Sequence, residues 1–461
     1  MTPGPSIVWF RDDLRLADNP ALHAGIARGA PLVLLYLLDD DSPEVRPLGA
    51  AARWWLHGSL SALAGDIAAR GGTLLLRHGP ADRELPRLVR ETGAGAVFWN
   101  RRYGAGRRID ARLKSRFRDE GLPVQSFGAG HLIEPGTLLT EQGTPYRVFT
   151  PFWRAARQRP VRDPLPAPAE VRSVSGVGSD ELGSWGLRPT APDWAGGIRD
   201  AWEPGERAAT RRLEGFLQNG LARYHRRDEP GAEATSRLSP SLRFGEIGPA
   251  QILHRVHGEL APAARRNAAL FLAELGWREF MASALFHEPD LATVNHRRHF
   301  DAFPWNEPDP AELRAWQRGR TGIPLVDAGM RELWTTGHMH NRVRMITASF
   351  LVKNLLVDWR VGERWFWNTL VDADEASNPA NWQWVAGSGT DAAPYFRVFN
   401  PEVQAKKFDP DGGYVRRWVP EAGTPGYPDP IVDLGQSRKD ALAAYETMRR
   451  SPRSGAARRS P

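Results

Sequence analysis

Five short apolar runs punctuate the first 128 residues: 6–10 (SIVWF), 32–38 (LVLLYLL), 73–77 (TLLLR), 95–99 (GAVFW) and 122–127 (LPVQSF), each bounded by Gly, Pro or Asp. Between them, apolar positions recur at helical spacing near 20–28, 50–70, 81–92 and 107–119. Strands alternating with helices at this interval predict an α/β domain over residues 1–128, built on a parallel, doubly wound sheet. Ligands of such a sheet bind beyond the carboxyl ends of its strands. The pattern then lapses. Residues 129–200 read as an interdomain linker, and 160–200 in particular are rich in Pro, Gly and Ser without a sustained period. From 201 to 448 the runs are long and helical, for example 208–220, 249–259, 264–286, 325–336 and 338–357, so the second domain is all-α. Residues 449–461, closing on RRSPRSGAARRSP, read as a disordered basic tail.

A chain of 461 residues is too long for one ordinary core and suits two domains. It has no Cys, which removes disulfides, zinc–thiolate sites, Cys nucleophiles and iron–sulfur clusters together. The start, MTPGPSIVWFRDD, lacks a basic segment before an apolar one, and no apolar run reaches membrane-spanning length, so a cytoplasmic protein without a membrane partner is expected. The formal charge is +7, carried almost wholly by Arg rather than Lys. Arg favours forked phosphate contacts and stacking, which makes a phosphate-rich partner plausible, although a GC-rich genome also enriches Arg. No Walker A run or HExxH occurs. Gly387, Gly389 and Ala392 mimic a dinucleotide fingerprint, but they follow a Trp-rich segment instead of a strand.

The densest chemistry lies in 372–395, DADEASNPANWQWVAGSGTDAAPY. Asp372, Asp374, Asn378, Trp382 and Trp384 share a polar, Gly-punctuated segment that suggests a lined cavity. Three further groups converge with it. In YHRRDEPGAEATSRLSPSLRFGEI, Thr235, Ser236 and Ser239 precede Pro240 and suit either a phosphate seat or an elaborate helix cap, with Arg226, Arg227 and Arg237 nearby. In FLAELGWREFM, Glu274, Trp277, Arg278 and Met281 share one helical face, where a carboxylate beside an indole must be paired or face a polar ligand. In HMHNRVRMITASFLVKN, Asn341, Arg344 and Met345 share a face, and Arg344, if buried, needs a carboxylate such as Asp372.

The runs TSRLSPSL, WREF, TGIPLVDAGMRELWTTGHMHNRVRM, SFLVKNLLVDW, NWQW and GTDAAPYFRVFNP occur together in this order. With them the chain resembles the DNA photolyase/cryptochrome family over about residues 5–445, and within it the class I cyclobutane pyrimidine dimer photolyases. The resemblance implies a Rossmann-like antenna domain joined by a long linker to a helical FAD-binding domain. It also implies a monomeric, light-driven lyase that repairs UV-damaged DNA by electron transfer from excited reduced FAD. By motif, Tyr224 and the segment Thr235, Ser236, Arg237, Leu238, Ser239 would hold the phosphates and ribityl chain. Phe271 takes a place where the family often has Trp. Arg278, Arg344, Asp372, Ala373 and Asp374 would surround the flavin and adenine, and Asn378 would face the flavin N5. Glu274 would hydrogen-bond the dimer, Trp277 and Trp384 would wall it, and Asn341, Arg342 and Met345 would line the same cavity. Arg227, counted back from Thr235, and Gln404 would meet the DNA backbone. Trp382, Trp359 and Trp305 would relay electrons from the surface to the flavin.

Two finer expectations follow. Asn341 and Met345 occupy the face on which relatives that repair (6-4) photoproducts carry His, so the cyclobutane dimer is the expected substrate; His340, about 100° around a helix from 341, is not expected to substitute. The alternative is a cryptochrome, a blue-light receptor without repair, against which the Glu274, Trp277 and Met345 set speaks. An antenna chromophore is expected near 34–40, 50–55 and Asn100–Tyr103. The acidic pattern associated with methenyltetrahydrofolate is missing after Tyr103, so a deazaflavin is preferred, with folate, a second flavin or no antenna open.

Overall fold

The structure, a computed structural model, describes residues 4–258, 262–393 and 396–450. Five parallel strands form one sheet: β1 Ser6–Phe10, β2 Leu32–Leu38, β3 Leu74–His78, β4 Ala96–Asn100 and β5 Val124–Phe127, in the order β3-β2-β1-β4-β5. Ser6 of β1 lies opposite Leu32 of β2 and Ala96 of β4, so the three central strands run in step and all their residues are buried. β5 starts later than its apolar run because Pro123 has no N–H for the ladder. Helices Pro20–Ala27 and Ala50–Ala68 cover one face and Ala81–Thr92 and Arg107–Asp119 the other, each with its own apolar core. The strand order reverses between β1 and β4, and at such a switch point loops part and leave a crevice.

The connecting stretch is less featureless than its sequence. It contains the helix Phe149–Ala156, whose Phe149 ring stacks on Trp277 at 3.9 Å, and residues 171–174 run alongside the start of β2. These contacts are long-range, and no local periodicity announces them.

Beyond it the described residues form helices and turns, with one isolated bridge between Asn306 and Val357. The principal helices near the cavity are Pro262–His287, Pro324–Thr336, Asn341–Ser349, Trp359–Thr369 and Ser377–Ala386. The run 338–357 is not one helix. His340 is a helix cap, its Nδ1 accepting the Arg342 N–H at 3.2 Å, and past Ser349 the chain widens into the π-turn Phe350–Asn354. There the buried Lys353 amine donates to the last carbonyl of Ser377–Ala386, Ala386 O, at 3.0 Å. The run 208–220 likewise ends as a helix at Gly215 and continues as the π-turn Phe216–Gly220. At the end of the chain the helix Leu434–Arg450 includes residues 449 and 450, assigned to the tail above; the rest of that tail, 451–461, lies outside the described residues.

Candidate cofactor and substrate cavity

The helical groups meet the crevice of the sheet around one cavity of about 800 Å³. The helix Pro262–His287 contributes Phe271, Glu274, Trp277, Arg278 and Met281 from one face, as its spacing predicts. Asn341–Ser349 contributes Asn341, Arg342, Arg344 and Met345. The rest of the helical wall is Tyr224, 235–239, Asp372, Ala373, Asp374, Asn378, Trp382 and Trp384. Opposite stand residues at and beyond the carboxyl ends of the strands, among them Trp9, Arg11, Tyr36, Arg46 and Asn100–Tyr103. The 36–40 and Arg53 positions anticipated for an antenna belong to this second wall.

A buried ion pair anchors the helical wall. Arg344 Nη2 lies 2.8 Å from Asp372 Oδ2, which also accepts Ser239 Oγ–H at 2.6 Å. Burial alone would push the Asp372 carboxyl up, but Arg344, then His338 and Ser239, hold it below the usual carboxylate range. Its other oxygen, Oδ1, is buried without a protein partner. Arg237 sits in the left-handed region (φ 51°), a conformation that a non-Gly residue keeps only when its surroundings demand it. Ser239 is therefore committed to Asp372, and the short helix Ser239–Arg243 has no side-chain cap.

At the mouth, Arg227 Nε reaches Glu274 Oε1 at 3.4 Å and Arg342 Nη2 reaches Asp228 Oδ1 at 2.8 Å. Enclosure by protein raises the Glu274 pKa, offset in part by Arg227. Arg342 is thus a cavity residue and not an exposed basic one. Arg278 does not pair with Glu274 either; it donates to Gly130 O at 2.7 Å and approaches Glu279, tying the helix to the connection. Trp384 donates its indole N–H to Asp391 O at 3.1 Å, which fixes the ring at the wall.

Deeper, Asn378 Nδ2 donates to Glu363 Oε1 at 2.8 Å and Glu363 O at 3.1 Å. Asp374 accepts the Ala376 and Ser377 N–H groups at 2.8 and 2.6 Å, and the Ala373 carbonyl receives Arg243 Nε at 2.9 Å, so these two shape the backbone beneath the cavity. Tyr224 and Phe271 meet edge to face at 5.5 Å in an aromatic cluster, with Leu238 buried beside them.

Of the three relay tryptophans only Trp382 lines the cavity. Trp359 is fully buried, its indole N–H bonded to Asn295 Oδ1 at 3.0 Å, and Trp305 is half-buried. Trp382 packs on Gly362, one turn along from Trp359, where a Cβ would run into the indole. Gln404, on Pro401–Phe408, does not line the cavity, and Arg226 turns away to pair with Glu229. His338 and His340 do reach the wall. The 100° argument fails for His340 because it precedes the helix as its cap; burial lowers its pKa to about 4, so it is neutral near pH 7.

Sequence reasoning missed Arg46, Glu363 and Trp9. Glu363 left one signal: in WRVGERWFWNT it lies four residues after the buried Trp359, and a carboxylate on an apolar face must be paired. Arg46 and Trp9 sit in loop and strand contexts with no comparable mark.

The arrangement has a family. Residues 6–169 match the DNA photolyase family model, and residues 271–425 match the model described as the FAD binding domain of DNA photolyase. The chain belongs to the DNA photolyase family. It is 48% identical to a deoxyribodipyrimidine photo-lyase of Agrobacterium fabrum, over 97% of this chain and 98% of that one. Among solved structures it superposes with a TM-score of 0.93 on a bacterial class III photolyase from Agrobacterium tumefaciens, 47% identical over 97% of this chain and 98% of that chain. A Synechocystis cryptochrome matches at TM-score 0.84 and 27% identity over 96% of this chain and 99% of that one. The likeness to a class III photolyase does not carry the class I assignment expected above. No helix among the described residues is long and apolar enough to cross a membrane.

Proposed function

We propose that this chain is a light-dependent DNA repair enzyme that binds FAD in the helical wall and splits cyclobutane pyrimidine dimers at the cavity mouth. The observation that carries this reading is the meeting of Glu274, Trp277, Asn341, Met345 and Trp384 around the same cavity as Asn378 and the Arg344–Asp372 pair. The residues suit the cofactor: the buried Asp372 Oδ1 has no protein donor, the 235–239 segment presents hydroxyls and N–H groups, and about 800 Å³ is within the range of ligand-binding cavities.

When bound, reduced FAD supplies the photoexcited electron that opens the dimer ring. Asp372, Arg344, Tyr224 and the 235–239 segment then hold it, and Asn378 presents its carbonyl oxygen to the flavin edge because its amide nitrogen is occupied by Glu363. Trp277 and Trp384 clamp the extruded bases between rings, and Glu274 at the mouth hydrogen-bonds the dimer. Arg227 and Arg342 neutralise the backbone at the mouth. His340, neutral with a pKa near 4, is no proton donor near pH 7, which supports the cyclobutane dimer over the (6-4) lesion. Trp382, Trp359 and Trp305 supply a route for reducing the flavin in light. The linker at 129–200 and the domains at 1–128 and 201–448 remain our division of the chain, in a monomer.

In the crevice, Trp9 Nε1 and Arg102 Nη2 are buried without partners, which favours a polar aromatic second chromophore there, a deazaflavin in our reading. The repair reading is tested by illuminating UV-irradiated duplex with reduced enzyme: dimers disappear with wild type, and Glu274→Ala lowers the yield several-fold while FAD content holds. Loss of FAD in that variant, or unchanged yield, would remove the proposed role of Glu274.

A further inference from the structure

The carboxylate beneath Asn378 is controlled from the other half of the chain. Glu363 is almost wholly buried, and its two oxygens meet the two terminal nitrogens of Arg46 at 2.6 and 2.9 Å, a forked pair. Arg46 comes from the loop after β2, which also forms part of the sheet-side wall. Its guanidinium lies 3.9 Å from the Trp367 ring centroid, and Trp367 in turn donates its indole N–H to Pro47 O at 2.9 Å. Ala50 N–H donates to Asn368 Oδ1 at 3.0 Å, and Gly49 approaches the Trp367 carbonyl so closely that a Cβ would collide with it. Loop 46–50 is thus clamped onto the helix Trp359–Thr369 at several points.

The chemistry of the pair fixes Asn378. Both groups facing the Asn378 amide from Glu363 are acceptors, a carbonyl and an ionised carboxylate, so only the amide nitrogen satisfies them and the carbonyl oxygen must face the cavity. An ionised carboxylate this deeply buried needs a cation, and among the described residues Arg46 is the one cation ion-paired to it. Without Arg46 the Glu363 carboxylate loses both forked contacts, and among the described residues no other ion pair holds its Oε1 beneath the Asn378 amide. The amide is then free to rotate its oxygen away from the cavity, which withdraws the acceptor for the N5–H of a reduced flavin.

We propose that Arg46 is a positioning residue of the flavin site, acting through Glu363 on Asn378, so that the antenna half sets how readily the bound flavin is reduced. This rests on the flavin reading above. The test uses the full-length, FAD-loaded protein as wild type, Arg46→Lys, Arg46→Gln, Glu363→Gln and Arg46→Gln/Glu363→Gln. FAD per chain, thermal midpoint and flavin midpoint potential by dye-coupled titration are read for each.

The expected result is FAD retained in every variant. The potential in Arg46→Gln moves toward the oxidised form, changing the reduced-to-oxidised ratio about tenfold, the size expected for a lost buried charge-assisted contact. Arg46→Lys falls between, and Arg46→Gln adds nothing once Glu363 is Gln. A lowered thermal midpoint with an unchanged potential would show that Arg46 only clamps the loop and would overturn the proposal. So would a shift that persists undiminished in the Glu363→Gln background. If Arg46→Gln does not fold, Arg46→Lys and Glu363→Gln decide alone: unchanged potentials in both overturn the proposal. Wild type that holds no FAD would instead overturn the flavin reading itself.

Discussion

Two arginine–carboxylate pairs brace the cavity, Arg344–Asp372 inside the helical half and Arg46–Glu363 between the halves. Both couple a carboxylate with almost no solvent access to an arginine about a quarter accessible. Their partners differ. Asp372 also holds Ser239 and keeps one buried oxygen without a protein partner, whereas both Glu363 oxygens are taken by Arg46 and one of them also by Asn378. The first pair therefore presents a charge to a ligand; the second hides its charge and presents an oriented amide. A buried charge can thus serve as a contact or as a means of fixing a neutral contact.

Breaking the first pair should do the most damage. Asp372→Ala leaves Arg344 without its carboxylate and frees Ser239, and should cost about 3–5 kcal/mol in chemical denaturation and most of the bound FAD after gel filtration. Full FAD occupancy in that variant would separate the pair from the cofactor. Glu363→Ala should cost less, about 2–3 kcal/mol, because Arg46 keeps its stacking on the Trp367 ring, and FAD should largely stay. Equal losses from the two variants would erase the distinction drawn here.

Trp382 belongs to neither pair, so it serves as a contrast. Trp382→Phe should lower stability by about 1–2 kcal/mol and keep FAD, yet block light-driven reduction of the oxidised flavin, since Phe is far harder to oxidise than an indole. Chemically reduced Trp382→Phe should still repair. Normal photoreduction would place the relay elsewhere, and the stacked Trp334 and Trp365 rings would be the next aromatic pair to examine.

The smallest expected effect is on pH. The folded pKa of His340 lies near 4, below the ordinary 6.5, so the unfolded chain takes up its proton first. Stability from this residue is complete above about pH 6.5 and declines as the pH falls toward 4. His340→Asn should flatten denaturation midpoints across that window. The Asp372 contribution has the opposite partner but the same direction: its depressed pKa means stability is lost only at still lower pH, below the ordinary carboxylate value. A decline that begins near pH 4 in wild type would assign the whole effect to carboxylates.

The contrast between the pairs also explains what could be read from the chain. Arg344 and Asp372 are 28 residues apart, Arg344 on a helical face that asks for a carboxylate and Asp372 in a dense polar segment that supplies one. Arg46 and Glu363 are 317 apart, and their meeting depends on how a loop after β2 lies on a helix of the other half. The five strands were legible because each is a bounded apolar run, while the break at Ser349 was not, since a π-turn keeps the apolar pattern of a helix. The role of His340 was hidden for a related reason: whether a residue caps a helix or belongs to it changes where its ring points, and the boundary fell between 340 and 341.

The central claim is that this cavity repairs cyclobutane dimers. Reduced, FAD-loaded protein is given defined oligonucleotides carrying either a single cyclobutane dimer or a single (6-4) photoproduct, under blue light and in darkness. The account predicts light-dependent restoration of the cyclobutane substrate and an unchanged (6-4) substrate. Restoration of the (6-4) lesion with the cyclobutane dimer untouched, or no restoration of either by protein holding stoichiometric FAD, would contradict it.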